Sequence, residues 1–552
     1  MSASEDRYRK AFAERRARVD RILASKSPRR VVVAGPGTGK TYLFKEVLKG
    51  KRNTLTLTFV NSLVEDLSLE LYGLSDVRTL HSFARYLLSK LWHRKSINIF
   101  PELSEIIRQD ATILIGNDID FEAIFHARDD DNVNIEFYKR RKRYYGDTYG
   151  YSDVIFAAVK YLEAHHEKIP SYEQIVVDEF QDFNPLEVSL IELLAQKSPV
   201  LLAGDDDQAL YEFKHASPEH IRHKHGEKSP DYEAFDLPFC SRCPRVIVDA
   251  ANDIVRGAKH NGLLGRRIDK PYIYFESESK DLVSDKYPTI TYAQPYAKQI
   301  PWFIEKKIRE IALDVRDKFT VLIISPTRTQ SRAIATALKG KGFKNIDSTD
   351  KRAAVPLVSG LRILMENEAS NLGWRIVSRS LVSKEEFTLL LRKTEGENAK
   401  PLHELVDSTC KATARKMVKA LKRVTGNSPV DEQTMKTLNE IGIAPYDLVK
   451  GLLSDQLLAD VRGGDAAARK IPIKATTVES SKGLAADYVF ITHFDDRYFI
   501  SQENGRPAIC DRDICKFLVA LTRAKSKAFL VSSQRQDPLF LQWISQERIG
   551  RL

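Results

Sequence analysis

The sequence predicts an α/β protein built on two parallel-sheet cores, each interrupted by a mainly helical insertion. Three observations lead there. Short β-branched runs recur, each followed by a helical pattern. They fall into two series separated in sequence, and the first run opens a glycine-rich loop that leads into a helix. Buried parallel strands read as continuous apolar runs, and their alternation with helices implies βαβ units.

The first series comprises Val31-Val32-Val33, Thr54 to Thr58, Ile175-Val176-Val177 and Val200-Leu201-Leu202. The second comprises Val321-Leu322-Ile323-Ile324, Ile473 to Val478, Tyr488 to Thr492 and Ala528 to Ser532. The stretches 89–169 and 366–465 carry helical patterns instead. The expected organisation is a first core of 1–88 and 170–235 with 89–169 inserted, and a second core of 236–365 and 466–552 with a compact helical insertion at 366–465.

The 552 residues carry 86 lysines and arginines against 75 aspartates and glutamates, a net charge of +11, and 43% are hydrophobic. That is a folded, multidomain composition. No apolar run approaches the ~20 residues that cross a bilayer, and 1–10 are too polar for a secretion signal, so the expectation is a cytoplasmic protein with no membrane partner. Five cysteines in this length exclude a disulfide scaffold, and Cys240, Cys243, Cys510 and Cys515 lack convincing metal-ligand spacing. The basic balance suits nucleic acid.

Val31 to Val33 run directly into Ala34-Gly35-Pro36-Gly37-Thr38-Gly39-Lys40-Thr41 and then a helical stretch. Strand, glycine-rich loop and helix form a phosphate cradle, in which backbone N–H groups and the helix N-terminus face the anion. Lys40 would reach the outer phosphates and the Thr41 hydroxyl would hold Mg²⁺. The strand Ile175 to Val177 ends in Asp178-Glu179-Phe180-Gln181-Asp182. Adjacent carboxylates at a buried strand tip are costly unless they serve a metal or a proton transfer, so Asp178 is expected on Mg²⁺ and Glu179 on the attacking water. In Gly204-Asp205-Asp206-Asp207-Gln208-Ala209-Leu210-Tyr211-Glu212-Phe213, Gln208 suits sensing of the terminal phosphate, and Tyr211 and Phe213 offer rings for bases.

These strings occur in order with Thr58-Phe59-Val60-Asn61, Thr79-Leu80-His81-Ser82-Phe83-Ala84, Val321 to Arg332, Thr476 to Leu484 and Val519 to Lys525. Together they resemble the motifs of the UvrD/Rep family of superfamily 1 helicases over nearly the whole chain. The resemblance implies two RecA-like cores with ATP and Mg²⁺ in the cleft between them. It implies nucleotide contacts from Ala34, Gly35, Pro36, Gly37, Thr38, Gly39, Lys40, Thr41, Asp178 and Gly483, with Thr41 and Asp178 on the metal. Catalysis would fall to Lys40, Glu179, Gln208, Arg242 and Arg523, the arginines arriving from the second core. Phe59, Asn61, His81, Tyr211 and Phe213 would face single-stranded DNA.

The sequence departs from the family pattern in places. Residues 1–40 contain no glutamine to read adenine, and Ser241 stands where a base-stacking tyrosine is usual. Both losses fall on the base, so weak discrimination among nucleotides is expected. Glu479 replaces a histidine, Ala485 an acidic residue and Ser62 a lysine. In the insertions, Tyr138-Lys139-Arg140-Arg141-Lys142-Arg143-Tyr144-Tyr145 reads as a nucleic-acid contact or a solvated face, and Ala414, Met417, Leu421 and Val424 as the apolar stripe of a packed helix.

The resulting expectation is an ATP hydrolase and DNA helicase (an isomerase by class) that moves 3′ to 5′ on single-stranded or tailed duplex DNA in DNA repair. The alternative is an ATP-gated nucleic-acid-binding subunit of a repair or defence complex, activated by a partner such as a nuclease. RNA as the track stays open.

Overall fold

The computed structural model describes residues 3–59, 61–94, 96–211, 215–226, 231–315, 318–348, 356–396, 399–425 and 471–552. The chain divides into two compact units, one of Met1–Ala84, Ala158–Asp350 and Gly463–Leu552, the other of Arg85–Ala157 and Lys351–Arg462.

The first unit contains two all-parallel sheets, the α/β architecture of paired RecA-like cores. Six strands form the first: β1 (Arg29–Ala34), β2 (Thr54–Thr58), β3 (Asp76–Thr79), β4 (Gln174–Val177), β5 (Val200–Gly204) and β6 (Glu233–Leu237), in the order β3-β2-β4-β5-β1-β6. β1, β2, β4 and β5 are buried on both faces, as their apolar runs require. The edge strands β3 and β6 are partly exposed and polar, so they leave no such run in the sequence.

A two-residue pairing of β7 (Phe239–Cys240) with β8 (Ile273–Tyr274) leads to the second sheet. Its strands are β9 (Ile290–Ala293), β10 (Val321–Ser325), β11 (Ile346–Ser348), β12 (Ile473–Thr477), β13 (Ala486–Thr492), β16 (Ala524–Val531) and β17 (Ile549–Arg551). They run β11-β12-β10-β13-β16-β9-β17, with the small hairpin β14 (Gln502–Glu503) and β15 (Arg506–Pro507) apart. Helix α1 (Ala3–Ala24) spans both cores: Arg18 pairs with Asp236, while Phe12 meets the Phe275 ring and Arg7 pairs with Glu276.

The second unit joins the two insertions, which the sequence presents as separate stretches. Helices Leu103–Ile115, Phe121–Ala127, Ile135–Tyr144 and the part of Tyr151–Ala164 up to Ala157 come from one, and Pro356–Glu366, Asn371–Leu381, Lys384–Arg392 and Ser408–Thr425 from the other. Asp110 lies at the centre of a buried ionic cluster. It accepts from Arg141 at 2.8 Å and Arg375 at 3.0 Å, and from the Tyr145 hydroxyl. The basic run from Tyr138 to Tyr145 is therefore half core: Tyr138, Arg141 and Tyr145 are buried, while Lys139, Arg140 and Arg143 remain exposed. Ala414, Met417 and Leu421 pack inward as the periodicity predicts, and the Val424 side chain lies outside the described residues. Among the described residues, no helix is long and apolar enough to cross a membrane.

Candidate nucleotide site

Sheet order places the chemistry. β4, β5 and β1 are neighbours, with Val177 opposite Leu202 and Val33 opposite Gly204. Their C-terminal ends therefore bring Asp178-Glu179, the turn Gly204 to Gln208, and the loop Gly35 to Lys40 to one crevice, where ligands bind in open parallel sheets.

The loop turns through left-handed backbone at Gly37 (φ 73°) and Gly39 (φ 98°), then enters helix α2 (Lys40–Leu48). A side chain at Gly37 would have its Cβ 2.3 Å from Cβ of Arg242. The segment bearing Arg242 thus lies directly on the loop, and the Ser241 N–H donates to the Gly37 carbonyl at 3.0 Å. Glu179 is held in the left-handed region at φ 54°, an uncommon conformation for a side chain of this size and one often found at functional sites.

Lys40 Nζ donates to Glu179 Oε1 at 2.9 Å and lies 3.9 Å from Asp178, while Gln181 Nε2 donates to Glu179 Oε2 at 2.7 Å. Burial opposes ionisation of Glu179, yet Lys40 and then Lys482 outweigh it and hold the carboxyl below its ordinary range. For Asp178 burial dominates and pushes the carboxyl up to about 7. Asp182 is likewise pushed up by burial, to about 6. Arg523 is buried and brought down to about 10, first by burial and then by the neighbouring Arg242 charge. Its Nη2 still donates to Gln208 Oε1 at 2.9 Å.

A cavity of about 460 Å³ collects these groups. Gly35 to Thr41, Asp178, Glu179, Gln208, Arg242, Gly483 and Arg523 all line it. Ala34 does not; it is fully buried in the apolar cluster behind the loop. Lys280, which lies in no sequence motif, and Lys525, at the end of the Val519 to Lys525 string, add two cations to the wall, and Asp66 and Glu70 of α3 (Asn61–Glu70) face it from the first core.

Of the residues expected on DNA, the half-buried Phe59 and Tyr211 have ring centroids 4.9 Å apart, and Phe183 meets Phe59 at 5.8 Å. The Tyr211 hydroxyl donates to the Glu479 carbonyl at 3.1 Å, and Lys516 lies 3.8 Å from the Glu479 carboxylate. His81 lies in the first turn of helix Leu80–Leu91, just after β3. Phe213 and the side chains of Asn61 and Ser62 lie outside the described residues.

A profile of the UvrD/REP helicase N-terminal domain matches residues 123–228. The matched segment, which carries Asp178, Glu179 and Gln208, is similar to that domain. Among curated relatives, DNA helicase II of Escherichia coli (strain K12) is 23% identical over 419 residues, covering 66% of this chain and 56% of the relative. ATP-dependent DNA helicase PcrA of Staphylococcus aureus (strain Mu50 / ATCC 700699) is 22% identical over 443 residues, covering 69% and 58%. PcrA of Staphylococcus epidermidis (strain ATCC 12228 / FDA PCI 1200) is 23% identical, with 69% and 58% covered. The chain thus spans less than three fifths of the length of these curated relatives.

Proposed function

We propose that this chain is an ATP-driven motor of the UvrD/Rep type that moves 3′ to 5′ on single-stranded DNA and unwinds tailed duplex. The observation that carries the reading is Arg523. A buried second-core guanidinium hydrogen-bonds Gln208 of the first core, in the same cavity as the phosphate loop and Glu179. A motor needs that geometry, because the cations that stabilise the transferred phosphoryl group must arrive when two bodies close.

The donor set fits a nucleoside triphosphate with Mg²⁺. Lys40 already pairs with an anion, the loop amides are opened by two left-handed glycines, and Arg242, Lys280, Arg523 and Lys525 add cations to the walls. Lys40 and the loop would hold the phosphates, and Thr41 and Asp178 would hold Mg²⁺, which when bound neutralises and polarises the terminal phosphoryl group. Glu179 orients the attacking water and takes its proton at the Oε atoms. Arg242 and Arg523 balance the developing charge, and Gln208 transmits their arrival. Phe59 and Tyr211 stack on bases without regard to sequence, as translocation requires. The names of the relatives, DNA helicase II and ATP-dependent DNA helicase PcrA, support a DNA track.

The test is steady-state ATP hydrolysis with and without single-stranded DNA, in the wild type, Lys40→Ala and Glu179→Gln. Strong stimulation abolished by both substitutions is expected. Near-normal turnover in both would overturn the assignment. Tight DNA binding without stimulated hydrolysis would favour a subunit that depends on a partner.

A further inference from the structure

We propose that Cys240 and Cys243 are an oxidisable dithiol, a modification site at which hydrogen peroxide closes a disulfide across Arg242 and reversibly disables the nucleotide site. The effect on turnover rests on the motor reading above, whereas the modification does not. Both thiols are fully buried, and the two residues between them, Ser241 and Arg242, line the cavity. That wall is the route for a molecule as small as peroxide. Cys240 ends β7, and Cys243 stands two residues before helix Arg245–His260. The chain doubles back between them, so that the Cys243 N–H points at Cys240 Sγ, 3.5 Å away.

Each sulfur also touches the parts that would handle phosphate. The Tyr272 hydroxyl bridges the Pro36 carbonyl at 2.9 Å and Cys240 Sγ at 3.2 Å, and its ring lies so close to the loop that a Cβ at Gly35 would sit 2.9 Å from it. Cys243 Sγ donates to the Thr522 carbonyl at 3.4 Å, beside Arg523. The pair therefore joins the phosphate loop to the segments bearing both arginines. Burial opposes the thiolate at Cys240, yet hydrogen bonds from Cys243 and Tyr272 outweigh it and hold this thiol below its ordinary range. Cys243 is held up, first by its bond with Cys240 and then by burial, and burial pushes the remote Cys410 up to about 11.

The thiolate is the reacting form, so oxidation starts at Cys240. Its sulfur attacks one peroxide oxygen and the O–O bond breaks. The departing hydroxide takes the proton that Cys240 released on ionising, leaving water and a sulfenic acid. Cys243 sulfur then attacks the sulfenic sulfur: the S–S bond forms, the S–O bond breaks, and the second hydroxide leaves as water with the Cys243 proton. The two thiols lose two electrons, and peroxide is reduced to water. The closed ring takes the S–H donor from Thr522 and the thiolate from Tyr272, and the fixed geometry of a disulfide constrains the backbone of Arg242 between its ends.

The experiment treats the full chain with hydrogen peroxide, blocks remaining thiols with N-ethylmaleimide and maps the bonds by mass spectrometry, in the wild type and in a double variant carrying Cys240→Ser and Cys243→Ser. The wild type should form the Cys240–Cys243 bond and lose DNA-stimulated hydrolysis by about 100-fold or more. It should bind a non-hydrolysable ATP analogue with Mg²⁺ about fivefold or more weakly, and dithiothreitol should restore both. The double variant should hydrolyse ATP near the wild-type rate and ignore peroxide. A treated wild type with both thiols still alkylated, a mapped bond without change in turnover or analogue affinity, or equal losses in the double variant would overturn the proposal. Should the double variant not fold, Cys243→Ala carries the comparison: treated with peroxide, it should stop at the sulfenic acid and take dimedone at Cys240, and absence of that label would count against the dithiol. An untreated wild type that does not hydrolyse ATP sinks the motor reading, whereas the mapped bond and the analogue affinity still judge the dithiol.

Discussion

Arg523 Nη2 donates to Gln208 Oε1 at 2.9 Å, and Gln208 Nε2 in turn donates to Asp205 Oδ2 at 2.8 Å. The amide is thereby fixed in one orientation, with its oxygen toward the arginine. Arg523→Ala is expected to lower kcat for DNA-stimulated hydrolysis by about 10³ or more, with a much smaller change in nucleotide affinity. Gln208→Ala should keep basal hydrolysis and lose most of its stimulation by DNA. Steady-state kinetics and nucleotide binding separate the two; a kcat for Arg523→Ala close to wild type would remove the arginine from the reaction.

Nucleotide selectivity should be weak. Ser241 donates its N–H to the loop and offers no ring, whereas Tyr42, at the start of α2, is 40% exposed with the Arg15 guanidinium 5.9 Å over its ring. A ring and a guanidinium stack on any base. GTP and CTP should be hydrolysed with kcat/KM within about tenfold of ATP, and Tyr42→Ala should raise KM for all of them together. Strict dependence on ATP would contradict this.

Removing Asp110 should be severe. The carboxylate is fully buried, and two buried arginines depend on it. Asp110→Ala leaves both partly unpaired, a loss of about 3–5 kcal/mol. Chemical denaturation followed by circular dichroism would measure it; a change under 1 kcal/mol would mean the cluster behaves as a surface ion pair.

Asp153 makes stability depend on pH. Burial pushes its carboxyl up to about 6, against the pull of Lys142 and the Tyr138 hydroxyl. The folded state therefore holds a proton that the unfolded chain releases near pH 4. That contribution is complete below about pH 4 and is lost as pH rises through about 6. In melting curves from pH 4 to 8 without nucleotide, Asp153→Asn should show a shallower decline over that window than the wild type. Parallel curves would show that the group titrates normally.

Most of the first crevice was legible in the sequence because its parts are contiguous. The loop Gly35 to Thr41 and the pair Asp178-Glu179 each follow a strand buried on both faces, and such strands leave apolar runs. β3 and β6 escaped notice because edge strands carry polar residues on their open side. Contacts between segments were illegible for a different reason. Nothing local to Lys482 specifies Asp182, 300 positions away, as its partner, and Lys280 belongs to no motif although it lines the cavity. The run from Tyr138 to Tyr145 looked uniformly basic and aromatic, but a helix sends Tyr138, Arg141 and Tyr145 inward at spacings of three and four.

The two sheets differ in when they can be completed during synthesis. All strands of the first lie between Arg29 and Leu237, so it can close while the ribosome is still at work. In the second, β9 must wait for β16, and β10 for β12 and β13, across more than a hundred intervening residues. Until those strands emerge, β9 and β10 present open hydrogen-bonding edges and uncovered apolar faces, the condition in which nascent chains associate wrongly. Slower elongation at low temperature or a holding chaperone should therefore raise soluble yield by protecting the second core, with the first indifferent to both.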